Sequence, residues 1–366
     1  MRFLLRKTFC RKRPTLQHPK WVLLFSLLPT ILYWDYYEYY FPKWFNIDCQ
    51  NEEDCTRILL VADPQIIGLR NEMIHFITPI SIWDSDRYLA KTYSIAKKHA
   101  KPDLVLFLGD LFDEGSVAYE VEYKTYVSRL TNIFNLDDDK LKHIFVPGDN
   151  DIGGEGREPV KDNKIKFFEN AFGHTDISEI HNMTFYSVNY LKRTIPNVEV
   201  IEELSPDDAQ LRIVVSHVPL LFKPSLFSDK VLNKLRPHLL FAGHEHSSMI
   251  VSNEPIVQVR HVLPVTASDR SVHEMYLKMD ETYEVIAPAC SYRMGTVKMG
   301  YGLAVIENNE LRYTVLWSPS RFHQLAYYLI VLCANFWYIV YYKCRECWRT
   351  KSKNNNYTHI NSNSKA

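Results

Sequence analysis

The sequence predicts a large α/β domain between two apolar segments, on the strength of three observations. Short apolar runs of the kind that form buried strands recur along the middle of the chain, at residues 58–62, 104–109, 143–148, 212–216 and 239–243. The intervals 84–100 and 117–134 have the helical pattern expected of crossovers between parallel strands. Apolar stretches at 21–41 and 324–342 flank the whole region and are candidates for membrane spans.

Each of the five predicted strands ends in a side chain of the kind that binds metal ions. Because α/β proteins place their sites at the carboxyl ends of strands, these side chains are expected to meet at one edge. Three carboxylates and three imidazoles together would leave uncompensated charge unless cations lie among them. Mixed oxygen and nitrogen ligands suit Mn, Zn or Fe better than Ca or Mg. The residues are Asp63, Asp110, Asp149, His217, His244 and His246.

The order of these blocks resembles the calcineurin-like metallophosphoesterases. It reads Asp…Gly-Asp-x-x-Asp…Gly-Asp-Asn-Asp…His…Gly-His-x-His between about residues 58 and 248. The resemblance implies an α/β sandwich of two β-sheets flanked by helices. Two blocks depart from the common pattern, because residues 63–65 read Asp-Pro-Gln instead of Asp-x-His and residues 148–151 read Gly-Asp-Asn-Asp instead of Gly-Asn-His-Asp/Glu. Both departures look like the membrane-bound subgroup that removes ethanolamine phosphate from GPI-anchor glycans.

The resemblance also implies a role for each candidate ligand in a site for two divalent ions, with Mn²⁺ favoured over Zn²⁺ or Fe. In this scheme Asp110 bridges the two ions, and no covalent protein nucleophile is needed. Asn150 stands where the commoner members carry a histidine that assists the leaving group, and it is the catalytic candidate although an amide cannot act as an acid. The first ion is assigned to Asp63 and His246, with Gln65 as a weaker candidate, and the second to Asp149, His217 and His244.

Some positions keep two interpretations. Gln65 is as well suited to hydrogen bonding beside the metal as to binding it. Asp113 and Asp151 are expected to brace loops and orient ligands. Later strands are predicted at 283–287, 302–306 and 311–317, and we expect them to form a second sheet packed on the first.

Both ends of the chain predict membrane anchoring. Residues 1–20 carry basic and no acidic side chains, and the segment 343–366 is also basic, so the positive-inside rule places both as cytosolic tails. The stretch 21–41 is then an uncleaved signal anchor, 324–342 a second transmembrane helix and 42–323 a luminal domain. The alternative for 21–41 is the h-region of a signal peptide, but no A-x-A-like cleavage site follows it.

Charge and cysteines limit the partners of the luminal domain. Outside the tails the chain has 30 basic against 42 acidic residues, which argues against nucleic acid as a partner. Cys49 and Cys55 flank a short acidic loop, and a disulfide or two free thiols are both open. Asn182 begins the luminal glycosylation sequon Asn-Met-Thr.

The resemblance implies a phosphodiesterase of the endoplasmic reticulum and/or Golgi membrane that acts on GPI-anchored proteins or GPI lipid and promotes their export. Cargo-export machinery is a further expected partner. Two alternatives stay open, a luminal phosphomonoesterase acting on glycoproteins or lipids and a non-catalytic trafficking receptor. The intact ligand set argues against the receptor, whereas Asn150 keeps it open.

Overall fold

In a computed structural model, the chain divides into two compact units, Pro42–Arg321 and a second unit of Met1–Phe41 with Phe322–Ala366. The structure describes residues 19–70, 76–138, 140–173, 175–199, 210–254, 259–268, 271–277 and 281–363, with backbone only for 19, 254, 259 and 350–363. The predicted basic tail at 1–20 therefore lies almost wholly outside the described residues. The division into cytosolic tails and a luminal body stays a prediction.

The first sheet of the larger unit contains the three predicted strands that end in carboxylates. Its strand order is β10-β13-β12-β1-β2-β3, with β1, β2 and β3 parallel and β12 antiparallel to β1. The strands are β1 (Thr56–Val61), β2 (Leu104–Phe107), β3 (Lys142–Phe145), β10 (His273–Tyr276), β12 (Gly300–Glu307) and β13 (Glu310–Trp317).

The second sheet supplies the histidines. Its order is β4-β5-β6-β7-β11-β8-β9, in which β5, β6, β7 and β11 run parallel. The strands are β4 (Ile177–Ile180), β5 (Met183–Ser187), β6 (Leu211–Val215), β7 (Leu239–Ala242), β8 (Met249–Glu254), β9 (Val259–Pro264) and β11 (Thr282–Ile286).

The predicted grouping of the three later strands into one second sheet is wrong for two of them. The run at 283–287 forms β11 and joins the second sheet beside β7, whereas the runs at 302–306 and 311–317 form β12 and β13 and join the first sheet beside β1. The apolar runs locate all of these strands correctly. They do not encode pairing, because a strand that is buried on both faces has the same composition in either sheet.

The two sheets pack face to face between two helical layers. Alternate residues of β1 separate cleanly, since Ile58 and Leu60 enter the core between the sheets while Leu59 and Val61 pack under helices. One helical layer covers the first sheet, and α7 covers the second. The helices of the larger unit are α3 (Thr78–Ala100), α4 (Glu120–Phe134), the short α5 (Asp149–Ile152), α6 (Asp162–Phe172) and α7 (Leu226–Leu235).

The helix predicted from residue 84 begins earlier, at Thr78. Pro79 occupies the first turn, where a missing backbone N–H has no cost and a fixed φ favours the helix. The predicted start at Asp84 instead carries a buried carboxylate that accepts hydrogen bonds from Arg321 and Tyr292. Its role is therefore a long-range ion pair.

The smaller unit is helical in its described part. It contains α1 (Pro19–Ile31), a π-helical segment at Leu32–Tyr37 and α2 (Glu38–Tyr40), followed after the larger unit by most of α8 (Arg321–Asn363). Among the described residues, one helix is apolar enough over sufficient length to cross a membrane, within Arg321–Arg349. It includes the predicted span 324–342, and the span at 21–41 stays a prediction.

Polar side chains join the two helical segments of this smaller unit. The Asn335 amide donates to Ser26 Oγ at 2.9 Å, and the Tyr328 hydroxyl donates to Asp35 Oδ2 at 2.6 Å. Such bonds between helices satisfy polar groups that apolar surroundings would otherwise penalise.

Candidate metal centre

The carboxyl ends of strands from both sheets bring the predicted ligands together. Side-chain ligand atoms of Asp149, His217 and His244 all lie within 4.8 Å of one another. Those of Asp63, Asp110 and His217 do as well. The structure thus forms two overlapping groups, and the assignment of residues to individual ions stays a prediction.

The backbone at these ligands is held in an unusual conformation. Non-glycine residues rarely adopt positive φ, yet five of the predicted metal-site residues do so. Such conformations persist only where the surrounding structure imposes them, and they cluster at functional sites. The residues and their φ angles are Asp63 (50°), Gln65 (40°), Asp110 (51°), His244 (70°) and His246 (55°).

Two glycines allow the loops to approach this closely. A Cβ on Gly148 would lie 2.1 Å from Asp110 Oδ1, and one on Gly109 would lie 2.5 Å from His217 Nδ1. Gly109 also has a φ of +87°, which side chains disfavour. The glycines of the Gly-Asp blocks are therefore required by close packing around the ligands.

His217 is oriented as a metal ligand would be. Its Nδ1 lies 2.7 Å from the carbonyl oxygen of Leu108, which can only accept, so Nδ1–H donates. Nε2 then points at the carboxylates, 3.0 Å from Asp149 Oδ1 and 3.5 Å from Asp110 Oδ1. A hydrogen bond from the other ring nitrogen is the usual way in which a ligating histidine is held.

The two histidines after β7 differ in how tightly they join the site. His244 Nδ1 is 3.2 Å from Asp149 Oδ1, and its backbone N–H donates to Asp63 Oδ2 at 3.2 Å. His246 Nε2 lies 3.8 Å from Asp63 Oδ1, beyond hydrogen-bonding distance. His246 is therefore the looser member of the predicted set.

Gln65 and Asn150 both donate to the predicted bridging carboxylate. The Gln65 amide lies 3.0 Å and the Asn150 amide 2.9 Å from Asp110 Oδ2, while the Asn150 backbone N–H donates to Asp110 Oδ1 at 3.0 Å. In this arrangement Gln65 acts as a hydrogen-bonding partner of Asp110. Asn150 is half-buried and lies at the same carboxylate.

The buried carboxylates of the site favour a positive charge among them. Burial raises the pKa of both Asp63 and Asp110 above the usual range of a carboxyl. Although burial opposes its charge, Asp149 has a lowered pKa because His217 and His244 donate to it. Burial likewise opposes a charge on His217, but Asp110, Asp149 and Asp63 raise its pKa to about 10.

These residues fit divalent ions. A buried group of carboxylates draws a proton onto His217, and a cation in the same place would supply that charge instead. The donor set of carboxylate oxygens and imidazole nitrogens suits a transition metal.

Two further acids brace the loops that carry the ligands. Asp151 accepts backbone N–H groups of Leu111, Phe112 and Gly148 at 3.2, 3.0 and 2.9 Å, and so ties the second block to the third. The sequence indicated this role for Asp151. It did not reveal Glu284, a buried acid within β11 whose only sequence signal is a charge inside an apolar run.

Glu284 holds the loop that follows His217. Its carboxylate accepts the backbone N–H groups of Leu220, Leu221 and Phe222 at 2.5, 3.0 and 2.8 Å. The loop after β6 is thereby attached to β11, which lies beyond β7 in the second sheet.

The remaining predicted sites lie apart from the metal centre. Asn182 is exposed in the turn between β4 and β5, at the amino end of β5, so it is at the opposite end of the sheet from the histidines. Cys49 and Cys55 are joined by a disulfide, with Cα atoms 5.9 Å apart. Glycosylation at Asn182 stays a prediction.

Comparison with known proteins identifies related chains. The family model for calcineurin-like phosphoesterases matches residues 56–248. Cell division control protein 1 of Saccharomyces cerevisiae is 23% identical over 295 residues, which are 69% of this chain and 55% of that protein. The chain therefore spans about half the length of the yeast relative.

Two further similarities cover most of this chain. The Caenorhabditis elegans protein named metallophosphoesterase 1 homolog is 22% identical over 294 residues, 76% of this chain and 78% of that protein. A dimetal phosphatase structure from Danio rerio has a TM-score of 0.43 at 12% identity and covers 71% of this chain and 95% of its own.

Proposed function

This chain belongs to the calcineurin-like phosphoesterase family, and from that premise we propose that it hydrolyses an ethanolamine-phosphate diester on the glycan of GPI anchors. The chain is a metal-dependent phosphoester hydrolase. The choice of a GPI diester rests on the two motif departures at 63–65 and 148–151, which resemble the GPI-remodelling subgroup.

One observation carries the enzymatic part of the proposal. Strand ends from two sheets place carboxylates and imidazoles in two groups that share His217. We assign two divalent ions to this centre, with Mn²⁺ favoured, held by Asp63, Asp110, Asp149 and the three histidines. When bound, such ions withdraw charge from a phosphoryl group and activate water as a nucleophile.

The chain's own residues position the reaction. Gln65 and Asn150 hold Asp110 in one orientation, since both amides donate to the same carboxylate oxygen. The Asn150 amide can also donate to a phosphoryl oxygen, because this side chain is only half-buried. It can stabilise negative charge there but cannot protonate a leaving alkoxide.

We further propose where the enzyme works. The apolar part of α8 anchors the chain in the endoplasmic reticulum or Golgi membrane, and the helical segment at 19–40 forms the second span. The catalytic unit is then luminal, where GPI-anchored proteins and GPI lipid are available as substrates. Removal of the ethanolamine phosphate promotes their export to the Golgi, with cargo-export machinery as a partner.

Mass spectrometry of GPI glycans from cells that lack this protein tests the proposal. We expect retained ethanolamine phosphate, which wild-type protein removes and Asp110→Asn does not. Asp229→Asn is the matched control, because Asp229 is an exposed aspartate on α7, and it should restore processing fully.

Activity assays of the purified full chain in detergent distinguish the proposed diesterase from a monoesterase. Hydrolysis of the GPI diester, but not of a phosphomonoester on the same glycan, is expected. Unchanged GPI glycans in the deficient cells, together with monoesterase activity alone, would overturn the diesterase assignment.

A further inference from the structure

The first half of α3 exposes large apolar side chains to solvent. Phe76, just before the helix, is 80% exposed, Ile80 is 59% exposed and Trp83 is 61% exposed. We call Phe76, Ile80 and Trp83 the α3 apolar face. Isolated exposed apolar residues are ordinary, but adjacent ones on one face indicate an interaction site.

Helical geometry places Ile80 and Trp83 opposite the core. At about 100° per residue, positions 80, 83 and 87 fall within about 60° of one another. Leu89 and Tyr93 point the other way and are buried under the first sheet. Arg87 extends the same face, with its guanidinium 5.6 Å from the centre of the Trp83 ring.

The apolar character ends half-way along α3. Ser94 and Lys98 occupy the same outer face farther along the helix and are exposed polar residues. Because α3 connects β1 to β2, its amino end lies at the carboxyl edge of the first sheet, which also carries Asp63 and Asp110. The apolar face thus lies at the edge of the unit that carries the predicted metal ligands.

The point where the chain leaves this unit is fixed to the same part of α3. Arg321 is the last residue of the unit and the first residue of α8. It is 7% exposed, and its guanidinium donates to both carboxylate oxygens of Asp84. The Tyr88 hydroxyl adds a second link by donating to the Pro319 carbonyl oxygen at 2.9 Å.

Asp84 is the residue next to Trp83, and its partner Arg321 is the first residue of the apolar helix. We propose that Phe76, Ile80 and Trp83 insert into the interface of the lipid bilayer that α8 crosses. This inference rests on α8 being a membrane span and goes beyond the proposed reaction.

Lipid is the occupant that the side-chain chemistry and the chain connectivity both favour. A tryptophan beside an arginine, with aliphatic neighbours, is typical of helices that lie in the interface. The helix that begins at Arg321 contains an 18-residue window apolar enough to span a membrane, so in this proposal the bilayer surface lies near Arg321 and its partner Asp84. Insertion would direct the edge that carries the predicted metal ligands towards substrates carried in the same membrane.

Site-specific photocrosslinking in the full chain tests the inference. The photoreactive residue p-benzoylphenylalanine replaces Ile80, Ser94 or Leu329 in separate variants, reconstituted in vesicles of phosphatidylcholine and phosphatidylethanolamine. All three positions are exposed, so folding should be retained. Position 94 shares the face of Ile80 but lies about 21 Å farther along the helix, and Leu329 within α8 reports the membrane span.

We expect lipid adducts at positions 80 and 329 and few at 94. Adding Trp83→Glu to the variant labelled at position 80 should reduce its lipid adduct several-fold. Adding Trp83→Glu to the variant labelled at position 329 should leave its adduct unchanged. Adducts at 329 but not at 80, or equal adducts at 80 and 94, would overturn the inference and leave the anchoring intact.

The other outcomes are equally decisive. Absence of adducts at 329 would refute the membrane span and the inference with it. A protein adduct at 80, with a second copy or another chain, would make the α3 apolar face a protein interface instead.

Discussion

Glu284 provides a sharp test of how the loop behind His217 is held. This side chain is fully buried in β11 and accepts three backbone N–H groups from residues 220–222. Burial raises its pKa to about 7 from an ordinary value of 4.5, although the three donors act in the opposite direction. The carboxylate is thus both a stabilising acceptor and a costly buried charge.

The sign of the pH dependence follows from this shift. A group with a raised folded-state pKa contributes stability that is complete below the unfolded value, near pH 4.5. That stability is lost as the pH rises through the folded value, near pH 7, and the effect is flat above it. Relative to the fully protonated state, the loss in unfolding free energy is about 1 kcal/mol at pH 5 and about 3 kcal/mol at pH 8.

The perturbation is Glu284→Gln, which removes the charge and keeps the shape. The amide carbonyl still accepts backbone N–H groups, but the NH₂ group faces a donor and leaves it without an acceptor. That conflict costs about 1–3 kcal/mol and does not depend on pH. The stability advantage of wild type over Glu284→Gln should therefore shrink by about 2 kcal/mol between pH 5 and pH 8.

Urea unfolding of the full chain in detergent, followed by near-ultraviolet circular dichroism at four pH values between 5 and 8, measures this difference. The titration of the metal centre cancels, because both proteins share it. A difference that stays constant or grows with pH would refute the reasoning and show that the three N–H donors hold Glu284 ionised.

Glu307→Gln is the matched control. Glu307 is also buried and also accepts two backbone N–H groups, from Gln50 and Asn51, but Arg312 donates to it as well. Burial opposes the charge, yet these donors lower the pKa of Glu307. The stability that ionised Glu307 contributes is lost only as the pH falls below about 4.5. The difference in unfolding free energy between wild type and Glu307→Gln should therefore be constant between pH 5 and pH 8.

Four other predictions concern the metal site and the placement of the chain. Asp110→Ala should lose both bound metal and activity, and elemental analysis that finds one metal equivalent or none in active wild type would reject the two-ion site. Asn150→Ala should lower turnover at unchanged metal content, by an amount equivalent to roughly 2–4 kcal/mol, whereas full turnover would make Asn150 structural. Asn182 should carry a glycan that endoglycosidase removes and that is missing in Asn182→Gln. Tags at both chain ends should be cleaved by protease added to intact microsomes, and protected tags would contradict the topology. Cys49→Ser should lower the free energy of unfolding by about 2 kcal/mol, as expected for a short loop, and reducing agent should destabilise wild type but not the variant.

The strands at 58–62, 104–109 and 239–243 were predictable because each is a short apolar run, and an apolar run reports burial directly. The order of Asp and His blocks behind them was equally readable, as it depends on residue identity alone. The structure places five of the six predicted ligands in two groups that share His217, and His246 lies outside them.

The start of α3 and the partition of the strands were not predictable in this way. Asp84 looks like a helix start locally, and only its distant partner Arg321 shows its role. Glu284 was missed for the same reason, since its partners lie more than 60 residues away in sequence.

The sequence by itself determined which ligand types follow which strands, because buried runs and polar strand ends are local properties of the chain. Tertiary structure alone decided that the carboxylates come from one sheet and the histidines from the other. It also decided that His217 lies between Asp110 and Asp149 and that Arg321 donates to Asp84. These relations depend on strand pairing and on the packing of two sheets, which bring together residues that no local pattern connects.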